Sequence, residues 1–562
     1  MKSLFPKKRR YLPALLLALA LLCGCGAQET EPTGEDGPSG GIGKPLPEYT
    51  AADSVFSLSC SLRDSMNPIS RSTTSNAMLA GLIYEPLFTV ADDYSFAPTR
   101  LVKDYSTPDG GKTWSITVDT SVRFSDGRNL RAQDVCYSIR RAMQSPLYRS
   151  RLDNYSVVYG ASNFGEETMY FTLYQENLLF PALLTVPIIP EGEYGSLCPV
   201  GTGLYMVEDP TLFTGESAEP DAAEDGEDGA EADAGVLPAN PKLILNPHHP
   251  DAARAPLREI PLRDCAMTED IIESFEDGLI DLVVNDPTGI SGVGYGSGNE
   301  VRSYVSPSMY YLGFNVEHAF VMTAQYRYAI SYLVDRTSIV HRNMLDKGVE
   351  AVCPIMPSSP LYDSSIADVV RYSPETALTL LERSGCADFD DDGKLEYMLT
   401  GVPMEIDLNF VVYNGNSVKL AAARQIAEEL RAIGISVTMR ELPWKEYTEA
   451  LEAGDFDVYF GEVMLTADFD LGPLLREGGS LNYGRVNDPG CDERIAAFLA
   501  ADDTQRAAAC RDLCQYVVAN APIVPIAFET RDVITHRGVV SDIVLSPYDV
   551  FCNFADWTIR MN

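Results

Sequence analysis

The chain has 562 residues, of which 45% are hydrophobic, and its net charge is −38 at pH 7. This length predicts roughly three or four domains, and the apolar content is sufficient for large cores. The negative charge excludes nucleic acid as a partner, because a phosphate backbone is bound by concentrated Lys and Arg. The 12 cysteines are scattered without a C-x-x-C motif, so no disulfide framework is expected.

The N-terminus carries a short apolar run behind a basic stretch. Residues 7–10 are all Lys or Arg, and residues 12–22 form an apolar run of 11 residues. Such a run suits a secretory signal peptide and is too short to span a hydrocarbon core of ~30 Å. The next residues, Leu22-Cys23-Gly24-Cys25, resemble the lipobox of bacterial lipoproteins. The resemblance implies a signal peptide over 1–24 and a lipidated Cys25. An ordinary cleaved signal or a hydrophobic anchor is the alternative.

Two segments have a composition that cannot bury a core. Residues 25–47 are rich in Gly, Pro, Glu and Thr, which predicts a flexible tether. Residues 210–240 contain the run Glu216 to Asp233, which has nine carboxylates and no basic side chain. Mutual repulsion of these charges predicts an exposed, disordered insertion between folded segments.

The rest of the chain alternates between strand and helix patterns. The predicted strands lie, in chain order, at Thr113 to Val118, Val122 to Phe124, Tyr310 to Asn315, Ile435 to Leu442 and Asp457 to Val463. The predicted helices lie at Ala132 to Met143, at Tyr326 to Val334, from Pro374 behind a Ser373 cap, and at Val418 to Ile433. This alternation indicates α/β layers, with ligands bound at the strand ends.

A series of short motifs occurs in one order over most of the chain. They are Asn67-Pro68, Ile83-Tyr84-Glu85-Pro86-Leu87, Asp109 to Trp114, Arg123-Phe124-Ser125-Asp126-Gly127, Ala132-Gln133-Asp134-Val135, Pro199 to Tyr205, Gly278-Leu279-Ile280-Asp281, and Leu312-Gly313-Phe314-Asn315 followed by Tyr328-Ala329-Ile330 and Asp335-Arg336. No single motif is specific. Their shared order is similar to that of the family 5 extracellular solute-binding proteins of ABC importers.

The resemblance implies an α/β fold of the two-lobed, type II periplasmic-binding kind. Lobe I would be discontinuous, over 48–305 and 528–562, with residues 77–196 as an extra subdomain. Lobe II would cover 306–527. Chain crossings near 305 and 527 would act as the hinge on which the lobes close over a solute.

The ligand site implied by the resemblance centres on Asp468. In peptide-binding members, an aspartate in a W-x-A-D-Y loop pairs with the α-ammonium group of the ligand. The adjacent Ala467 and the aromatic Phe469 align Asp468 with that aspartate, but Leu465 stands where the family more often has Trp. The expected ligand-binding residues are Leu465, Thr466, Ala467, Asp468, Phe469 and, as further candidates that could instead pack their own loop, Asn482 and Tyr483.

Metal-binding and catalytic patterns are weak. The segment Asp388 to Gly393 resembles the first half of a calcium loop, but the twelfth position would be Leu399 rather than Glu, so a simple turn is the alternative. The sequence has no H-E-x-x-H or G-x-S-x-G pattern. We therefore expect no enzyme activity, no catalytic residue, no cofactor and no dedicated metal site.

The sequence thus predicts a monomeric, lipid-anchored protein on the outer side of the cytoplasmic membrane. It would capture oligopeptides and deliver them to the transmembrane subunits of an ABC permease. One alternative is the same fold with a non-peptide solute, such as a nickel chelate or an oligosaccharide. Another is a surface lipoprotein that senses peptides or adheres to a host.

Overall fold

The computed structural model describes residues 55–70, 73–152, 155–161, 167–215, 241–285 and 298–561. The predicted signal peptide, Cys25, the tether and residues 216–240 of the acidic insertion lie outside these ranges. No helix within the described ranges combines the length and apolar character needed to cross a bilayer.

The described residues contain strands and helices mixed along the whole chain. The strands are β1 Leu58–Cys60, β2 Phe88–Val90, β3 Phe96–Pro98, β4 Val102–Ser106, β5 Thr113–Val118, β6 Tyr155–Ala161, β7 Glu167–Leu173, β8 Tyr205–Val207, β9 Lys242–Leu245, β10 Glu259–Asp264, β11 Leu282–Asn285, β12 Asn299–Phe314, β13 Gly348–Glu350, β14 Glu396–Leu399, β15 Val402–Glu405, β16 Asp407–Tyr413, β17 Ser436–Leu442, β18 Val458–Met464, β19 Ile523–His536, β20 Val540–Ser541 and β21 Thr558–Ile559. The α-helices are α1 Thr74–Ile83, α2 Ala132–Ala142, α3 Thr268–Glu276, α4 Ala324–Ser331, α5 Arg336–Ser338, α6 Ser364–Ala367, α7 Pro374–Arg383, α8 Ser417–Ala432, α9 Trp444–Ala453, α10 Gly472–Leu475, α11 Pro489–Ala500 and α12 Arg506–Asn520.

Two four-stranded sheets form what we call the first lobe. One sheet has the order β1-β10-β9-β8, with β1 parallel to β10 and the remaining pairs antiparallel. The other has the order β4-β5-β7-β6 and is antiparallel throughout. Helix α2 buries Val135, Ile139 and Ala142, which lie three and four residues apart and so share one face.

A larger sheet leads into what we call the second lobe, which comprises β16 to β18 and helices α4 to α12. Its strand order is β11-β19-β12-β18-β16-β17, and β13 also pairs with β19. The long strands β12 and β19 pair along most of their length, but the register shifts between Val305 and Met309. Helix α8 begins at the Asn416 cap, whose side chain accepts a hydrogen bond of 3.0 Å from the Lys419 N–H.

The two lobes are in direct contact. A buried cluster joins Tyr94 and Leu179 of the first lobe to Leu465 and Phe469 of the second. The backbone adds a link, because the Leu178 N–H donates a hydrogen bond of 2.8 Å to the carbonyl oxygen of Leu499. The structure therefore shows a closed arrangement of the two lobes.

Three sequence predictions need correction. Val122 to Phe124 form only an isolated bridge between Arg123 and Asn129, because the following turn brings the Phe124 N–H to the Arg128 oxygen. The strand expected from Tyr310 begins already at Asn299, because its first half pairs with β19. Residues 210–215 had been assigned to the disordered insertion, but they are folded since Phe213 packs into the first-lobe core.

Candidate functional site

A cavity of ≈ 380 Å³ lies where the first lobe, the long sheet and the C-terminal segment meet. Cavities of this size are typical of small-molecule sites. Helix α1, strand β2 and the segment Ser546 to Cys552 contribute much of its wall, and Met464 at the end of β18 contributes from the second lobe.

A glycine turn fixes the end of α1 against this cavity. The Gly203 N–H donates a hydrogen bond of 2.8 Å to the oxygen of Ile83, the last residue of the helix. A Cβ atom at Gly201 would lie 2.0 Å from that same oxygen, so a side chain has no room there. The Pro199 to Tyr205 motif therefore positions α1, and with it the cavity residues Gly81 and Tyr84.

Two buried polar atoms of residues on the cavity wall have no hydrogen-bond partner among the described residues. Neither the Tyr548 hydroxyl nor the Arg151 Nε has a hydrogen-bond partner among the described residues, although both atoms are buried. The Arg151 guanidinium lies 4.5 Å from the centre of the Tyr148 ring. Arg531 also lines the cavity, 3.6 Å from the Glu529 carboxylate. The Tyr548 hydroxyl and the Arg151 Nε are therefore available for hydrogen bonds with a polar solute in the cavity.

Asp468 is almost completely buried, with 1% of its surface exposed. Its carboxylate accepts hydrogen bonds from Thr466 Oγ1 at 2.6 Å and from Asn177 Nδ2 at 2.8 Å. No basic side chain forms an ion pair with it in the described part of the chain. Burial and the nearby Asp470 carboxylate raise the pKa of Asp468 to about 6. Asp468 is thus a desolvated carboxylate that lacks a compensating positive charge.

Asn177 joins Asp468 to the first lobe. Besides its bond to Asp468, the Asn177 side chain accepts a hydrogen bond of 2.8 Å from the Leu179 N–H, which fixes its orientation. The Asn177 carbonyl oxygen accepts a hydrogen bond of 3.2 Å from Trp114 Nε1. The predicted ligand aspartate is therefore held at the contact between the lobes.

The other residues of this loop are mainly packed. Leu465, Ala467 and Phe469 are all buried, and the Phe469 ring lies 4.9 Å from the Tyr94 ring. Phe469 has a φ of +53°, which turns the loop sharply after Asp468. Thr466 is half-buried and supports Asp468 through its hydroxyl.

The two remaining candidates stabilise a neighbouring loop. The Asn482 amide donates hydrogen bonds to the Arg476 and Val486 oxygens, at 2.7 and 2.8 Å. The Tyr483 ring lies 6.4 Å from the Tyr459 ring. None of the seven candidate residues is among the described residues that line the closed cavity. Their role in binding stays a prediction.

The sequence did not single out several residues that the structure places at the site. They are Asn177, Arg151, Arg531, Tyr548 and Asp549. These residues lie in different parts of the chain and in no motif with a distinctive spacing, so only the tertiary fold brings them together.

The aspartates of the calcium-loop-like segment form a compact acidic cluster in the second lobe. Oxygen atoms of Asp388, Asp390, Asp392 and Glu396 all lie within 4.8 Å of one another. Glu396 was not predicted from the sequence, because the calcium-loop pattern expects its last acidic ligand at the twelfth position, which is Leu399. The N–H groups of Asp392 and Gly393 donate to the Asp388 carboxylate, which is also the arrangement of a tight turn.

The ten cysteines in the described part of the chain are free thiols, and nine of them are buried or half-buried. They pack as small apolar side chains.

The two lobes meet beside a cavity whose wall carries buried polar atoms, an arrangement suited to binding a solute. The family model for bacterial extracellular solute-binding proteins, family 5 Middle, matches residues 98–475, and the chain belongs to this family. It is a family of binding proteins rather than enzymes, as the sequence predicted.

Individual relatives agree with this assignment. The nickel-binding periplasmic protein of Escherichia coli (strain K12) is 23% identical over 490 residues, which cover 82% of this chain and 87% of that protein. The oligopeptide-binding protein AppA of Bacillus subtilis, solved with a nonapeptide, matches with a TM-score of 0.60 at 19% identity, over 92% of this chain and 97% of that one. NikZ of Campylobacter jejuni, solved with Ni(L-His), has a TM-score of 0.63 at 16% identity, over 91% of this chain and 100% of that one. The structural matches confirm the two-lobed type II periplasmic-binding fold.

Proposed function

We propose that this protein captures oligopeptides between its lobes and that Asp468 pairs with their α-ammonium group. The observation that carries the proposal is the buried Asp468 carboxylate without a basic partner. A buried charge is costly unless an opposite charge and hydrogen bonds compensate it. An ammonium group of the solute would provide that charge on replacing the Asn177 amide, which occupies the Asp468 carboxylate in the closed arrangement.

The opposite charge of a peptide also has a suitable place. Arg151 and Arg531 both line the cavity, and the Arg151 Nε lacks a partner among the described residues. A guanidinium group binds a carboxylate through charge-assisted hydrogen bonds. We assign these arginines to the carboxylate of the bound peptide, and the Tyr548 hydroxyl to its polar backbone.

A nickel chelate is the second candidate, and the relationship to the Escherichia coli nickel-binding protein favours it. The two cavity arginines would suit the carboxylates of such a chelate. However, an amine that coordinates nickel is no longer an ammonium ion. A chelate would therefore leave Asp468 without a positive partner, and so the charges of the site favour a peptide.

Calorimetric titration of the purified protein distinguishes the two solutes. We expect tripeptides with free amino termini to bind with a Kd in the micromolar range or tighter, which is ~8 kcal/mol of binding free energy. The nickel–histidine complex should bind much more weakly. Tight binding of that complex together with no binding of peptides would contradict the proposal.

The two lobes would close by rotating about the strands that connect them. We place lobe I at 48–305 and 528–562, with residues 77–196 as its extra subdomain, and lobe II at 306–527. The register shift between Val305 and Met309 in β12 supports a hinge at this point, because irregular pairing bends more readily than a regular ladder. Small-angle scattering should show a more compact particle after peptide is added.

Delivery and attachment complete the proposal. A lipid on Cys25 would hold the protein at the outer side of the cytoplasmic membrane, where it would pass peptide to an ABC permease. Cys25→Ser should move the protein from the membrane fraction to the soluble fraction. Retention in the membrane fraction would show a different anchor.

A further inference from the structure

We propose that Asp549 is a second cation-binding residue of the cavity, which gives the site a preference for peptides with a lysine or arginine side chain. This inference rests on the proposed peptide function and adds a solute class to it. Asp549 lies in the C-terminal segment, far in sequence from the predicted Asp468 loop. Unlike Asp468, it lines the closed cavity.

The Asp549 carboxylate has little internal compensation. Its Oδ1 accepts a hydrogen bond of 2.9 Å from the Phe551 N–H, which holds the side chain in place. No basic side chain pairs with Asp549 among the described residues. Burial raises the pKa of Asp549 to about 6. A carboxylate kept in a cavity without a positive partner is suited to bind a cation from solution.

The opposite wall of the cavity leaves space for this carboxylate. Gly81 lies inside helix α1, and a Cβ atom there would be 2.3 Å from Asp549 Oδ1. Glycine within a helix is unfavourable relative to alanine. The absent side chain at Gly81 leaves room for the Asp549 carboxylate beside α1, at the wall of the cavity.

The other charged and titratable groups at the cavity have separate assignments. Arg151 and Arg531 would bind the peptide carboxylate, whereas Tyr548 and Cys552 flank Asp549 along the chain. The Tyr94 ring lies 4.9 Å from the ring of Phe469, which follows Asp468, and 6.1 Å from the ring of Tyr548, which precedes Asp549. A peptide whose α-ammonium group pairs with Asp468 can thus place a side-chain cation at Asp549.

The test uses matched tripeptides and calorimetric titration of the whole protein. Lysine is placed at each position of tri-alanine, and the controls carry norleucine, which has the same carbon chain without the ammonium group. For the wild-type protein, we expect at least one lysine peptide to bind about tenfold or more tightly than its norleucine counterpart. Asp549→Asn should bring this ratio close to one while the affinity for the norleucine peptide is preserved.

Two further variants separate this effect from a general disturbance of the site. Gly81→Ala favours the helix but displaces the Asp549 carboxylate, so it should also reduce the ratio. Asp556→Asn removes an exposed aspartate of the same C-terminal segment, which pairs at the surface with Arg254, and should leave the ratio unchanged.

The outcomes distinguish this inference from the proposed function. Asp468→Asn should weaken the binding of the lysine and norleucine peptides by the same factor. Three results would each overturn the role of Asp549 while peptide binding itself stands. They are an affinity ratio that is unchanged in Asp549→Asn, an equal loss of affinity for both peptides in that variant, and a wild-type ratio near one. No binding of any of these peptides to the wild-type protein would overturn the proposed function and this inference together.

Discussion

Asp468→Asn should weaken the binding of peptides with a free amino terminus by about 30-fold or more, because loss of a desolvated charge partner costs ~2–5 kcal/mol. The amide keeps the size of the side chain and can still accept the Thr466 hydrogen bond, but its NH2 group then faces the Asn177 Nδ2 donor. The comparison with an amine-acetylated peptide therefore separates the missing charge from this local change. Titration calorimetry with a tripeptide and its amine-acetylated form measures the effect.

The acetylated peptide is the internal control for this prediction. It has no ammonium group, so Asp468→Asn should change its affinity little. A variant at an exposed carboxylate, Asp503→Asn, should change the affinity of neither peptide, because Asp503 lies at the surface, where it pairs with Arg506. Equal losses for the free and acetylated peptides in Asp468→Asn would refute the ion pair.

The raised pKa of Asp468 also predicts a pH dependence of stability. Between the ordinary pKa of 3.8 and the folded-state value of about 6, the folded protein binds more protons at this group than the unfolded chain. The contribution of Asp468 to the free energy of unfolding therefore falls as the pH rises through this window. Without peptide, the melting temperature of Asp468→Asn relative to that of the wild-type protein should therefore be higher at pH 7 than at pH 4.

Gly201→Ala should lower the free energy of unfolding by about 3 kcal/mol, the cost of forcing an extra group into a packed site. The new Cβ atom would lie 2.0 Å from the Ile83 oxygen, and the backbone there cannot rotate away as a side chain could. Helix α1 would have to shift, and the cavity wall with it. Thermal unfolding should show the loss of stability, and peptide titration a parallel loss of affinity.

Gly195→Ala is the matched control for this substitution. Gly195 lies six positions earlier, and a Cβ atom there would meet no atom within 4 Å. The two variants thus make the same chemical change in nearby positions with different surroundings. Similar melting temperatures for both variants would contradict the role of the glycine turn.

Local patterns predicted much of the fold. The Ser373 cap and Pro374 correctly mark the start of α7, and the apolar spacing after Asn416 correctly indicates α8. These features depend on residues within one or two turns, so they are readable from the sequence. The length of β12 could not be predicted from the sequence, because its first half is a strand only through pairing with β19.

The residues of the candidate site were likewise predicted only in part. The resemblance of the loop around Ala467 and Phe469 to the loop of the family predicted Asp468, and the structure shows this residue buried at the contact between the lobes. Asn177 and Asp549 lie about 290 residues before it and 80 residues after it. Only the contact between the lobes brings Asn177 to Asp468, and only the tertiary fold places Asp549 at the cavity, so no local pattern predicts either position.

The most direct test of the account is the identity of the solute that the protein carries when it is purified under native conditions. Native mass spectrometry, followed by release and sequencing of the bound molecule, measures it. The account predicts peptides with free amino termini, bound to the wild-type protein and depleted from Asp468→Asn. A bound nickel chelate, sugar or other solute without a free amino group would contradict it.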